Sequence, residues 1–328
     1  MTLFGTDLPI IQAPMAGAQL SELAIAVSDA GGLGSLPCAM LSPADVRAEL
    51  AKIGTRRVNL NFFCHAPPRV DEVRERAWRD RLAPYYRALG IDPEAPVPSA
   101  TRAPFDDAMF DVIAEYRPAV ASFHFGLPAA EVVARVKQLG VKVISSATTV
   151  EEARWLAARG CDAIIAQGWE AGGHRGMFLA TDLATQLGTF ALVPRIVDAV
   201  DVPVIAAGGI ADARGVAAAF ALGASAVLVG TAYLACPESR ISDAHRAALA
   251  SGDETVVTNV YTGRPARGIA TRFVREVGPI AGAPEFPRAA TAVGPLRAKD
   301  PTIGPFWSGQ HRIARTLSAA ELTRALGA

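Results

Sequence analysis

The sequence predicts an α/β fold, a parallel (β/α)8 barrel with a smaller cap built from an insertion and the C-terminal tail. Three observations predict it. Short apolar runs without polar alternation recur through residues 9–229, which is how strands buried on both faces read. Amphipathic stretches with recognisable caps and glycine stops separate those runs. Two segments, Gly160-Cys161-Asp162-Ala163-Ile164-Ile165-Ala166 and Gly223-Ala224-Ser225-Ala226-Val227-Leu228-Val229, also share one pattern, as repeated βα units would. An open doubly wound sheet has the same periodicity and stays open as the rival topology.

The elements follow in order. Pro9-Ile10-Ile11-Gln12-Ala13 reads as the first strand, and Ser21 is placed to cap a helix that stops at Gly31-Gly32. Leu33-Gly34-Ser35-Leu36 is a second strand. Ser42-Pro43-Ala44-Asp45 opens a helix with proline at its first position, and Val58-Asn59-Leu60-Asn61-Phe62-Phe63 is the third strand. A helix over 107–116 precedes a strand over 119–123. A helix over 129–139 then precedes a strand over 141–145. Thr149-Val150-Glu151-Glu152 reads as a capping box for a helix ending at Gly160. A strand over 162–166, a helix ending near Val200 and a strand over 202–206 follow. A helix capped by Asp212 and a last strand over 225–229 complete eight βα units, near the usual barrel length of about 250 residues.

Two segments break the rhythm. Residues 64–106 carry Pro67, Pro68, Pro84, Pro93, Pro96, Pro98 and Pro104, and are too long for a plain loop. Residues 235–328 hold a helical stretch over 241–251 followed by many Gly, Pro and Arg residues. The expected division is a TIM barrel over 1–63 and 107–234, with a cap and substrate region over 64–106 and 235–328.

Composition narrows the function. The chain has 328 residues, 51% of them hydrophobic, and balances 32 basic against 32 acidic side chains. That balance lacks the basic footprint of a nucleic-acid binder or a polybasic membrane surface, so a small-molecule partner is expected. A mean hydropathy of +0.25 is spread over many short runs, and none approaches the roughly 20 apolar residues of a membrane span. Cys38, Cys64, Cys161 and Cys236 show no paired spacing, as in a reduced cytosolic protein rather than a disulfide scaffold or zinc knuckle. With no secretory signal in the first residues, a soluble, cytoplasmic protein is expected.

In a parallel barrel the chemistry sits at the C-terminal strand ends. Here those ends read Ala13-Pro14-Met15-Ala16-Gly17, Asn61, His124, Ser145-Ser146, Gln167, Gly208-Gly209 and Gly230-Thr231. They are rich in glycine and neutral amides, which suits a planar polar cofactor better than a metal or a carboxylate pair. Gly208-Gly209 and Gly230-Thr231 follow the seventh and eighth strands, where barrels bind phosphate through backbone N–H groups; they could also merely terminate strands. The most informative segment is Gln167-Gly168-Trp169-Glu170-Ala171-Gly172-Gly173-His174-Arg175-Gly176. His174 lies in a glycine-rich loop with no apolar helix face to hide it, and an imidazole there can serve as base or donor. Arg175 and Glu170 could be simply solvated. His124, between Phe123 and Phe125, reads equally as a packed histidine or a substrate-facing one. His65, His245 and His311 are assigned no chemistry, and a zinc site lacks any local ligand pair. Arg264, Arg267 and Arg272 could bind an anion or be salt-bridged.

Taken together, these segments resemble the nitronate monooxygenases, formerly called 2-nitropropane dioxygenases, a family of FMN-dependent barrels. The likeness runs from residues 9–17 through Asn61-Phe62-Phe63, Ser122-Phe123-His124-Phe125-Gly126, the 167–176 loop and Ala206-Ala207-Gly208-Gly209-Ile210 to Trp307-Ser308-Gly309-Gln310. The resemblance implies FMN held by Asn61 and Gln167 amides and by backbone around Pro14, Met15, Gly172, Gly173, Gly208, Gly209, Leu228, Val229, Gly230 and Thr231. Ser308 and Gln310 would complete the pocket. It further implies His174 as the active-site histidine and O2-dependent oxidation of small alkyl nitronates, such as propionate 3-nitronate, or of nitroalkanes, to carbonyl compounds and nitrite. No metal or nicotinamide is implied, and a homo-oligomer is compatible. The alternatives are an FMN-dependent NAD(P)H reductase, similar to enoyl-ACP or quinone reductases, and a barrel that binds flavin or phosphate without turnover.

Overall fold

A computed structural model describes residues 2–97, 102–252, 254–311 and 316–328; Pro98 of the insertion lies outside the described residues. The strands are β1 (Ile10–Gln12), β2 (Gly34–Pro37), β3 (Val58–Phe63), β4 (Val120–His124), β5 (Lys142–Ala147), β6 (Ala163–Gln167), β7 (Gly173–His174), β8 (Val204–Ala207), β9 (Ala226–Val229), β10 (Thr255–Thr258) and β11 (Ala266–Ile269). Eight of them form one parallel sheet in the order β1-β9-β8-β6-β5-β4-β3-β2. A parallel bridge between Ile11 and Leu33 joins its two ends. There the Gln12 N–H donates to Leu33 O at 3.0 Å and the Leu33 N–H to Ile10 O at 2.9 Å. The sheet is therefore a closed (β/α)8 cylinder, and the open-sheet rival is excluded.

Side-chain alternation divides each strand between two cores. Ile11, Ile144, Ile165, Ile205 and Ala226 fill the cylinder, while Ile10, Val143, Ile164, Val204 and Val227 face the surrounding helices. The inward phase, followed upward, ends at Asn61, Ser122, His124, Ser146, Gln167 and Leu228. Strand parity alone thus delivers six polar or half-buried side chains to the mouth.

Local chemistry explains most helix starts, with two departures. Ser42 and Asp45 form a reciprocal capping box at Pro43–Ile53, and Asp212 caps Ala213–Ala221. Ser21, however, is the first residue of the helix Ser21–Asp29 rather than its cap; its N–H donates to Glu49 Oε2 at 2.9 Å, so a carboxylate from the next helix satisfies that end. Thr149 does cap Val150–Ala158, but Glu152 does not return the bond. Its buried carboxylate accepts from the Thr148 N–H and hydroxyl, both at 2.7 Å, and from the N–H groups of Phe178 at 2.6 Å and Leu179 at 3.1 Å. One acid therefore ties a helix start to the loop that follows residue 176.

The insertion contributes the helix Glu72–Ala88, whose Trp78, Leu82 and Tyr86 pack into a second apolar core with Val260, Phe273 and Val293 of the tail. The tail also supplies β10 and β11, which pair antiparallel, and β11 pairs in turn with β7 from the 167–176 loop. The final helix, Ala319–Leu326, leaves this region and packs on the barrel against Ser21–Asp29. Thr323 anchors it through its hydroxyl, 2.8 Å from the Tyr233 hydroxyl. All four cysteine thiols are free.

Candidate active site

A cavity of about 500 Å³ opens at the carboxyl ends of the barrel strands. Pro14, Met15, Asn61, His124, Gln167, Gly172, Gly173, His174, Gly208, Gly209, Leu228, Gly230 and Thr231 all line it. Asn61 is positioned by its Nδ2, which donates to Ser122 Oγ at 3.0 Å.

The 167–176 loop is clamped from both sides. The Gln167 amide donates from Nε2 to His174 O at 2.9 Å and accepts at Oε1 from the Gly176 N–H at 2.7 Å. His124 Nε2 reaches the same His174 carbonyl at 3.1 Å, and His124 Nδ1 lies 3.0 Å from Ser146 Oγ. Because a carbonyl only accepts, His124 carries its proton on Nε2 and takes the Ser146 hydroxyl at Nδ1. Both lone pairs of one carbonyl are thus used to hold the residue whose side chain faces the cavity. His124 is a packed, hydrogen-bonded histidine, and burial pushes its imidazole down to about 4.

Arg175 and Glu170 are not solvated. The Arg175 side chain is 0% exposed. Its Nη1 donates to Gly168 O at 2.7 Å, its Nη2 to Gln167 O at 2.9 Å, and Nε and Nη2 to Gln186 Oε1 at 3.1 and 2.9 Å. Burial, with Arg267 nearby, lowers it to about 10, which still leaves it charged at neutral pH. Its backbone N–H donates to Pro265 O at 2.9 Å, fastening the loop to the tail. Glu170 accepts from the Thr189 N–H and hydroxyl, both at 2.8 Å, and so caps the helix Thr189–Val197 from outside.

The His174 ring lies among Phe63, Phe125, Phe286 and Trp307, with ring centroids 6.2, 5.9, 5.4 and 5.5 Å away. Its Nε2 is 2.9 Å from Thr262 Oγ1. Burial first, then the charges of Arg102, His124, Arg264 and His65, hold its basicity well below the ordinary imidazole value. The ring is therefore neutral at neutral pH and keeps a lone pair.

Three residues expected at the cofactor site are not among those lining the cavity. Val229 has the outward phase of β9 and packs against the helices, whereas Leu228 faces the cavity. Ser308 is buried behind the lining, with its hydroxyl on Gly309 O at 3.2 Å. Gln310 is exposed, and its backbone N–H donates to Glu170 O at 2.9 Å. Between them Gly309 and, beyond, His311 line the cavity instead. Three arginines of the tail have protein partners: Arg264 donates to Met177 O and lies 3.9 Å over the Phe125 ring, Arg267 donates to Trp169 O at 2.9 Å, and Arg272 pairs with Glu276 at 2.6 Å.

Several lining residues carried no signal in the sequence. Arg102 and Arg297 line the cavity from the insertion and the tail, and Thr262 of the tail, behind the lining, reaches His174; only the tertiary fold brings them there. His245, set aside above, also lines the cavity and stacks on Phe306 at 5.0 Å.

Comparison with known proteins places this geometry. The family model described as nitronate monooxygenase matches residues 1–328. The chain belongs to the nitronate monooxygenase family. A nitronate monooxygenase of Paraburkholderia phytofirmans is 42% identical, covering 99% of this chain and 93% of that one. One of Pseudomonas aeruginosa is 40% identical, covering 99% and 96%. A solved nitroalkane oxidase from Streptomyces ansochromogenes superposes with a TM-score of 0.89 at 38% identity, covering 98% of this chain and 95% of the other. FabK from Thermotoga maritima gives 0.71 at 27% identity, covering 99% and 93%. As a nitronate monooxygenase family member the chain is a flavin-dependent oxidoreductase that oxidises nitronates, and the reductase and non-catalytic alternatives are not favoured. No helix among the described residues is long and apolar enough to cross a membrane.

Proposed function

We propose that this cavity holds FMN on the barrel rim and that His174 handles the substrate proton in the O2-dependent oxidation of alkyl nitronates and nitroalkanes. The residues fit the cofactor. Gly17 and Gly173 line the cavity at φ +82° and +73°, and a Cβ on either would meet nothing within 4 Å, so a flat ring system can approach bare backbone there. Asn61 and Gln167 supply neutral amides, and Gly209, Gly230 and Thr231 would hold the phosphate through main-chain N–H groups. Glu170 is the single carboxylate among the described lining residues, and Thr189 already occupies it. An anionic cofactor and an anionic substrate therefore meet little repulsion.

Bound there, FMN would accept electrons from the nitronate and pass them to O2. The protein's own part is proton handling and positioning. The Thr262 hydroxyl reaches Arg264 O at 3.4 Å; donating there, it accepts from His174 Nε2, which leaves the lone pair on Nδ1. That nitrogen takes the α-proton of a neutral nitroalkane and, once protonated, balances the nitronate. A substrate that arrives as the nitronate needs no base, and the ring then acts only by position and polarity. The doubly clamped His174 carbonyl is the observation that carries this reading, because it makes one ring orientation part of the barrel rim.

The test is to purify the protein, read its flavin spectrum, and add nitronate without oxygen. Bleaching by alkyl nitronate, and none by NADH, is expected. In His174→Ala, nitroalkane oxidation should fall by about 10²–10⁴ with flavin retained, while preformed nitronate still reacts. A colourless protein that cannot be reconstituted with FMN, or equal losses on both substrates, overturns the proposal.

A further inference from the structure

A second cavity, of about 50 Å³, lies beside the barrel rim at the end of the insertion. Phe62, Cys38 and Leu41 wall it from the barrel, and Phe105 and Met109 from the segment that enters the helix Asp107–Tyr116. Phe105 packs edge-on against Phe62 at 4.9 Å and Phe123 at 5.3 Å, and its N–H donates to Phe63 O at 2.7 Å. Neighbouring main-chain groups are engaged as well: Asn61 O accepts from the Cys38 N–H at 2.9 Å, and Cys38 O from the Leu41 N–H at 3.0 Å. Asp106 is the one carboxylate of the lining, and it caps the helix by accepting from the Met109 N–H at 2.9 Å. Burial pushes the Cys38 thiol up, so it brings no charge. A buried water needs about 10–15 Å³ and two to four polar partners. The room is present and these partners are already engaged, so the cavity suits an apolar molecule of a few atoms.

This chamber also connects two places. Ala103 and Asp106, which line it, are exposed, so it has a lip at the surface. Phe63 is buried and lines both this chamber and the large cavity, alone in doing so among the described residues. Its ring centroid is 6.2 Å from that of His174, and its side chain shares the inward face of β3 with Asn61. A single phenyl ring thus stands between the small chamber and the reacting imidazole. The two spaces differ in charge. Arg102, Arg240 and Arg297 line the large cavity, whereas no cation among the described residues lines the small one.

We propose that this chamber is a dioxygen site, from which O2 enters the large cavity past the Phe63 ring. It rests on the O2-dependent reading above. O2 is small, uncharged and a very weak hydrogen-bonding partner, so moving it from water into apolar surroundings is favourable. The same walls exclude an anionic nitronate, because nothing on them offsets the loss of its hydration. The oxidant therefore has a place of its own while the organic substrate occupies the large cavity.

The experiment uses the FMN-loaded protein and xenon, an apolar probe of similar size to O2. Crystals pressurised with xenon should show it between Phe62, Phe105 and Met109, and Met109→Trp, which fills the chamber, should abolish that density. In stopped-flow measurements Met109→Trp should slow reoxidation of the reduced flavin by O2 about tenfold. Anaerobic reduction by 1-propyl nitronate should keep the wild-type rate. Met109→Leu, which conserves volume, should behave as wild type in all three measurements. Xenon found only in the large cavity overturns the proposal. So does unchanged reoxidation in a Met109→Trp protein that no longer takes xenon, and so does equal slowing of both half-reactions, which would make Met109 a packing residue. Should Met109→Trp not fold, Ala103→Trp at the exposed lip closes the entrance and carries the same test. A wild type whose nitronate-reduced flavin does not react with O2 removes the functional reading and the proposal together, whereas a chamber without xenon removes the proposal alone.

Discussion

The two sides of the cavity are built from different materials. The barrel rim presents Asn61, Ser122, Gln167 and glycine backbone, all neutral and all fixed by strand parity. The roof, drawn from the insertion and the tail, presents Arg102, Arg297, Phe306 and Trp307, which are charged or aromatic. The rim suits a ligand recognised by shape and amide hydrogen bonds, and the roof a ligand recognised by charge. A barrel can therefore keep its cofactor end while the roof sets which substrate enters. The 167–176 loop belongs to both, since it leaves β6 and ends paired to β11.

Breaking that joint has the largest expected effect. Arg175→Met removes the donors to Gly168 O, which keeps the Ala171 N–H at 3.1 Å, and to Gln167 O and Gln186 Oε1, in a dry interior. Urea unfolding should show a loss of about 3–5 kcal/mol, with little rescue by Arg175→Lys, because an ammonium cannot span three acceptors. A benign Arg175→Met would mean that rim and roof are held together elsewhere.

Acidification tests both sides together. His124 on the rim and His65 and His245 in the roof are each held down to about 4, chiefly by burial, and His174 is lowered too. The unfolded chain protonates these rings below about 6.5. It therefore binds more protons than the native state, and stability falls as pH drops from about 6.5 towards 4, by on the order of 1 kcal/mol per ring. Thermal melts between pH 7.5 and 5 check this, and His245→Gln should flatten the slope. A pH-independent Tm would contradict the burial of these imidazoles in the folded state.

The smallest effect sharpens the comparison at one atom. Thr262→Val deletes the roof's hydrogen bond to His174 Nε2. A loss of about 1 kcal/mol, or about fivefold in kcat/KM for a neutral nitroalkane, is expected. The pH profile should shift, with preformed nitronate less affected. Equal effects on both substrates would reduce Thr262 to packing.

What was readable in the sequence follows the same division. The barrel strands announce themselves because both faces are buried, and His174 because it sits among four glycines in a ten-residue loop. Strand alternation further separates Leu228, whose side chain lines the cavity, from Val229, whose side chain faces the helices. β10 and β11 could not be read at all: Thr255–Thr258 and Ala266–Ile269 are short, mixed segments whose pairing depends on a partner in the 167–176 loop. Arg102 and Arg297 look like ordinary solvated charges until the fold sets them on the cavity that His174 also lines. Arg175 looked solvated for the same reason, since nothing local shows that three carbonyls converge on it.

The closure between Ile11 and Leu33 bears on how the molecule is made. The first strand finds its full-length neighbour only in Ala226–Val229, and the helix Ala319–Leu326 then presses Thr323 against the turn at Gly32. A nascent chain leaving the ribosome must hold β1 without that neighbour until Val229 of its 328 residues has emerged. Completion of the cylinder is consequently a late, long-range event, and the opening strand spends most of translation as an unpaired edge.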